Sequence, residues 1–320
     1  MQGAWSRRPA TAVSRLSGRP LLLLSARDLL AAARDESSLL IALVAPVPAA
    51  IGGFVRAARD ARAPLLLARP SGSAEEIGPE EARDDAAFVE SALKAATDLR
   101  FQGPLALLKE PPRAGCAVPE DERIRREIEA GFTGVAMATA PESAPAARDA
   151  ALLASHVCQL ELGLEIVPLG GSSELAAELV RQLRSRGAAP SALRVHEADP
   201  ELAAGLGPVA MSTTAEIVAD QLARRGARQL VAVGPFLRAL ESALPAPVRD
   251  TLQAWADERG ATMEQAAARH ARLLRDLDAA EQEKLEALCC FEALELYGRA
   301  GAASTAARIE QRVAALARKE

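Results

Sequence analysis

Eight short apolar runs recur between residues 39 and 233, each separated from the next by a longer stretch with helical periodicity. The runs are Leu39–Ala45, Pro64–Arg69, Pro104–Lys109, Gly134–Ala138, Leu164–Leu169, Ala192–His196, Pro208–Ser212 and Gln229–Val233. They are continuously hydrophobic and do not alternate, which is the pattern of strands covered on both faces of a parallel sheet. The intervening segments 51–61, 82–99, 120–130, 147–160, 173–186, 200–205 and 214–225 read as helices, several of them stopped by glycine at Gly131, Gly187 or Gly226. Eight such units with right-handed crossovers close into a (β/α)₈ barrel, and 320 residues hold one with terminal additions. The competing arrangement is an open doubly wound sheet. Against it, no G-x-G-x-x-G follows any of the runs.

Three regions are expected on this reading: a flexible basic arm over 1–20, the barrel over 21–245, and helices over 246–320. The arm carries Arg7, Arg8, Arg15 and Arg19 and no acid. Leu21–Leu24 is too short for a signal core or a membrane span. In the C-terminal helices, Leu285, Leu288, Phe291, Leu294 and Tyr297 share an apolar face, suited to the barrel wall or to a subunit interface.

Composition excludes some classes of function. Net charge is −5, with acids and bases interspersed, and aromatics make up 3% of residues, so neither a basic patch nor a stacking platform for nucleic acid is present. The four cysteines (Cys116, Cys158, Cys289 and Cys290) form no C-x-x-C pair and read as small apolar residues in a reducing cytoplasm. Only Lys94, Lys109, Lys284 and Lys319 are lysines. Lys109 falls at the C-terminal end of the third strand, the end at which active sites of this fold lie. It is open to two readings. The residue is either an amine freed by burial for Schiff-base chemistry or an ion pair at the barrel rim. Glu110 beside it starts on the opposite side of a regular strand, and Pro111 turns the chain out of the sheet.

Leu23–Ala45 and Ala49–Ser71 resemble the opening of class II ketose-bisphosphate aldolases, and EIEAGFTGVAMATA (Glu127–Ala140) resembles that family's "AIEAGFTSVMIDGS" passage through the fourth strand. VGPFLRALESAL (Val233–Leu244) is similar to the Z-type subunit of tagatose-bisphosphate aldolase, the supporting component of its enzyme. The resemblance spans roughly residues 20–245 and implies a zinc ion that polarises the ketose carbonyl, held by imidazoles from three strand ends. Where the family reads "PVALHLDHG", this chain reads PLALLKEPP, which puts Glu110 at the proton-transfer acid and Pro111 at a ligand histidine. Where it reads "HSTD" or "HGGSG", this chain reads MSTT, with Met211 at the histidine. His196 ends the sixth strand and is either a surviving ligand or a hydrogen-bonded histidine of the mouth, and Glu165 matches an acidic position of the fifth strand.

The resemblance also implies phosphate contacts after the seventh and eighth strands, where Ser212, Thr213, Thr214 and Gly234 stand; Thr213 or Thr214 serves equally as a helix N-cap. The expectation is therefore a divergent aldolase-like barrel without a cofactor, its zinc site degenerate. It would be cytoplasmic and would act as a partner subunit or a sugar-phosphate binder. A homo-oligomer is expected, with no membrane or nucleic-acid partner. The alternative is a metal-independent carbon–carbon lyase using Lys109 with Glu110 or Glu165.

Overall fold

The computed structural model describes residues 2–71, 79–111, 120–139, 144–168, 173–195, 209–213 and 227–318. Eight parallel strands close on themselves in sequence order: β1 (Leu40–Val44), β2 (Leu65–Arg69), β3 (Leu105–Lys109), β4 (Gly134–Thr139), β5 (Gly163–Pro168), β6 (Ala192–Val195), β7 (Ala210–Thr213) and β8 (Ala227–Ala232). β8 returns to β1 in register from Leu40↔Gln229 to Leu43↔Ala232, which makes the sheet a barrel. The helices α1 (Gln2–Trp5), α2 (Ala10–Leu16) and α3 (Ala26–Asp35) precede β1, and α4 (Pro48–Ala61), α5 (Pro79–Asp98), α6 (Glu120–Ala130), α7 (Ala144–Gln159) and α8 (Ser173–Ser185) follow β1 to β5 in turn. The helices predicted over 200–205 and 214–225 lie outside the described residues.

Alternation along each strand sorts the core into two layers. Leu40, Ala42, Val44, Leu66, Ala68, Ala106, Leu108, Ala192, Ala210 and Val231 belong to one apolar cluster, with α3, and fill the barrel. Their neighbours Ile41, Leu43, Leu65, Leu67, Leu105, Leu107, Leu193 and Met211 belong to another, packed beneath the surrounding helices. Continuous hydrophobicity in the sequence is the sum of these two alternating sets.

The N-terminal end of the barrel is plugged from within the chain. Leu24 N–H donates to Leu105 O, Leu105 N–H to Leu22 O, and Ala26 N–H to Thr133 O, so the approach to α3 is stitched across the strand starts. Ala26 then sits against Gly134 and Gly163, where an added Cβ would stand 2.7 and 2.6 Å from the Ala26 Cβ. Residues 2–20, expected as a flexible arm, are helical and packed. Ala4, Ala12 and Leu16 are buried, and the Arg7 guanidinium donates to both carboxylate oxygens of Asp28 on α3 at 3.0 and 2.8 Å. Arg7, Arg15 and Arg19 have acceptors on the body of the protein, at Asp28, Glu129 O and Glu90, whereas Arg8 donates to Trp5 O within the segment.

After β8 the chain is helical: α9 (Gly234–Ala243), α10 (Ala246–Arg259), α11 (Met263–Arg269), α12 (Ala271–Arg275), α13 (Ala279–Arg299) and α14 (Ala306–Leu316). α13 lies along α4 in the broadest helix–helix contact of the fold. The two approach so closely at Gly53 that a Cβ there would meet Glu286 O at 2.4 Å. Leu285 and Tyr297 are buried in this contact, whereas Phe291 is 56% exposed, so the apolar face read from the sequence is divided between core and surface. α14 packs on α1 and α3, completing the plug. No helix among the described residues is long and apolar enough to cross a membrane.

The plug makes a testable demand. Gly134→Ala is expected to cost about 2 kcal/mol by overpacking. Combined with Ala26→Gly it should cost less than the sum of the two single changes in urea denaturation, because the smaller residue removes the clash.

Candidate functional site

Among the described residues, three strands carry an ionisable or amide side chain at a position of inward parity: Glu165 on β5, Arg194 on β6 and Gln229 on β8, with Glu110 directly after β3. Their parity turns them into the barrel with Ala192 and Ala106 and not towards the helices. Arg194 is the hub. Its Nε and one Nη donate to the two oxygens of Glu165 at 3.0 and 2.8 Å, and its two Nη groups donate to the two oxygens of Glu110, one at 2.9 Å. Gln229 Nε2 reaches Glu165 from the far side of the barrel at 3.4 Å. Side-chain exposures of 13% for Glu110, 11% for Arg194 and 3% for Glu165 place this cluster inside a low-dielectric interior. Burial alone would lower the Arg194 pKa. The facing Glu110 and Glu165 carboxylates outweigh it and raise the pKa, so the guanidinium stays charged. Backbone contacts set the height of Glu110: its N–H donates to Arg69 O at 2.9 Å, and its C=O accepts the Ser71 hydroxyl.

Lys109 takes the opposite direction. It is 1% exposed and its Nζ donates to Asp85 Oδ1 of α5 at 2.8 Å, in the layer between sheet and helices. Arg69 of β2 donates to the same Asp85 oxygen, and its guanidinium lies 5.7 Å from the centre of the Phe88 ring. The turn at Pro111 therefore does not bring Lys109 and Glu110 together. Of the two sequence readings of Lys109, the geometry is that of an ion pair, made with Asp85 of α5. Next to it, Arg123 of α6 pairs with Glu120 and Glu127 and donates to Ala136 O of β4 at 3.1 Å. Burial pushes the Glu127 carboxyl up to about 8, against the opposing pull of Arg123 and Lys109, with Asp85 adding to the rise.

The remaining candidates are dispersed. Thr213 is buried at the end of β7, Gly234 opens α9, and Pro111 is partly exposed after β3. Ser212 is on β7, and His196 and Thr214 lie outside the described residues. Met211, placed by the resemblance at a ligand position, has its side chain in the outer apolar layer; the residue that β7 turns inward beside it is Ala210. Arg194 and Gln229 were not singled out from the sequence. The available signal was a charged or amide residue at inward parity within the runs ALRV and ARQLVA, where every structural argument favours an apolar one.

No protein-family model and no curated protein matches the sequence. Solved structures do match the fold. The YdjI aldolase from Escherichia coli K12 superposes with a TM-score of 0.62 at 12% identity, over 89% of this chain and 99% of that one. The fructose-bisphosphate aldolase Fba from Campylobacter jejuni gives 0.58 at 12% identity, over 88% and 96%. At such identity the likeness is one of fold: a closed (β/α)₈ barrel shared with these aldolases over most of the chain.

The described residues do not fit the zinc that the sequence resemblance implies. Zinc takes imidazole, thiolate or carboxylate donors in a compact set. β7 turns an alanine inward, proline follows Glu110, and both lumen carboxylates have their oxygens engaged by one guanidinium. Among the described residues no group of three or more His, Cys, Asp or Glu is placed to hold a metal ion.

Two consequences of the outer charge layer are measurable. Lys109→Met should lower stability by about 3 kcal/mol in denaturant unfolding, because Asp85 loses one of its two buried cations. Glu127 has a folded pKa near 8 against a reference of 4.5, so it keeps its proton when folded and loses it on unfolding between these values. Stability is then expected to fall as pH rises from about 5 to 8, and Glu127→Gln should flatten that slope.

Proposed function

We propose that this protein is a divergent class II aldolase-like barrel that has given up zinc-dependent aldol cleavage and works as a supporting subunit or as a binder of small sugar phosphates. The observation that carries this reading is the lumen itself. Where a metal-dependent aldolase needs a cation held by open donor atoms, this chain presents two carboxylates already closed onto Arg194. Aldol cleavage requires stabilisation of the enediolate left when the carbon–carbon bond breaks. A guanidinium that gives four of its five N–H donors to Glu110 and Glu165 has little remaining donor capacity for that oxygen.

The sequence resemblance to the Z-type supporting subunit over Val233–Leu244 supports the partner role. For a phosphorylated ligand, the proposed anchor is the end of β7 and the start of α9, with Thr213, Ser212 and Gly234, and with His196 from the sixth strand. A homo-oligomer or a complex with a catalytic aldolase-like chain is part of the same proposal.

Schiff-base chemistry at Lys109 gains no support, since the amine faces Asp85 behind the barrel wall. Borohydride treatment with dihydroxyacetone phosphate or pyruvate is expected to add no mass at Lys109. The main test is an assay of the freshly purified protein with fructose and tagatose 1,6-bisphosphates, with and without added zinc, alongside its metal content. No stoichiometric zinc and no zinc-stimulated cleavage are expected, with a thermal shift on adding a sugar phosphate. Zinc-dependent turnover would overturn the reading.

A further inference from the structure

We infer that Arg194 is the resident cation of this barrel: it supplies the counter-charge between Glu110 and Glu165 that a metal ion would otherwise supply, and it thereby bars divalent cations from the lumen. The inference rests on the reading of the lumen as free of zinc and adds what keeps it so. Two glutamates on different strands converge inside the barrel, which is costly unless a cation joins them. The planar guanidinium meets one carboxylate on its Nε edge and the other on its Nη edge, so each oxygen of both carboxylates accepts an N–H. A divalent ion entering this space would have to displace those hydrogen bonds while standing beside a fixed positive charge. Exclusion follows from the fixed positive charge together with the hydrogen bonds an ion would have to displace.

Without the guanidinium, Glu110 and Glu165 would face each other as two anions, with the Gln229 amide next to Glu165. That is an oxygen donor set, suited to manganese, magnesium or calcium rather than to soft metals. The same substitution that removes a salt bridge should therefore create a metal site.

The test uses the full-length chain and Mn²⁺ as the probe, with bound metal measured after equilibrium dialysis and folding followed by circular dichroism. Wild type is expected to retain no stoichiometric manganese. Arg194→Met should bind about one ion per chain, roughly tenfold or more tighter than wild type, and a further Glu165→Gln should abolish it. Manganese held by wild type in a manner that Glu165→Gln removes would overturn the inference, as would a folded Arg194→Met that binds none. If Arg194→Met does not fold alone, Arg194→Gln keeps a polar group in place, and refolding either variant in millimolar Mn²⁺ should restore structure. Failure of both variants to refold with the metal would also overturn it. Zinc-stimulated aldol cleavage by a wild-type protein whose lumen takes no manganese would end the functional proposal while leaving the role of Arg194 standing.

Discussion

A guanidinium held between two carboxylates inside a closed barrel governs both how this molecule is built and what it can do. Glu165, Arg194 and Gln229 come from three strands and Glu110 from the residue after β3, so one hydrogen-bonded cluster ties the end of β3 to β5, β6 and β8 across the lumen. Removing any one member would leave the others buried with unmatched charge or unpaired donors, which is far more expensive than the net worth of the pairs when intact. The cluster is thus a point at which substitution of a single partner is strongly disfavoured. Its chemistry follows from the same fact. Side chains held mainly by one another in this way are poor acids, poor ligands and poor electrophiles.

Strand parity sets a second group of charges outside the wall. Arg69, Lys109 and Asp85 join β2 and β3 to α5, and Arg123 with Glu127 joins α6 to β4. Lys109 and Glu110 are adjacent in sequence and serve these two different networks. A barrel wall one residue thick is enough to separate a helix anchor from a lumen group. At the other end, α3 enters between the starts of β4 and β5 because glycines stand at both, and α14 and α1 cover it. Among the described residues the interior is therefore filled from below by leucine and alanine, apart from the Arg7–Asp28 pair of the plug, with the Glu110–Arg194–Glu165 cluster above them.

Much of the architecture was readable from the residues. All eight strands fall within a few positions of the apolar runs, since burial on both faces leaves a strong hydrophobic signal. The helices after β8 were also evident from periodicity. Less was legible where pairing is non-local. The N-terminal arginines read as a loose arm because Asp28 and Glu90, their partners, are distant in sequence. Aligning Met211 with a ligand histidine took no account of which way the strand faces, and the structure turns that side chain outward beneath the helices. Arg194 carries no local sequence signal beyond its parity within a short apolar run. What distinguishes it is its inward position on a buried strand.

On this proposal the positive charge between Glu110 and Glu165 is that of Arg194, a residue of the chain. Crystals grown in excess zinc, with diffraction recorded on both sides of the zinc absorption edge, would test it directly. The expected map has unbroken density from Arg194 to both glutamates and no anomalous peak among them. A peak about 2.0–2.2 Å from a carboxylate oxygen of Glu110 or Glu165, with the arginine swung aside, would contradict it.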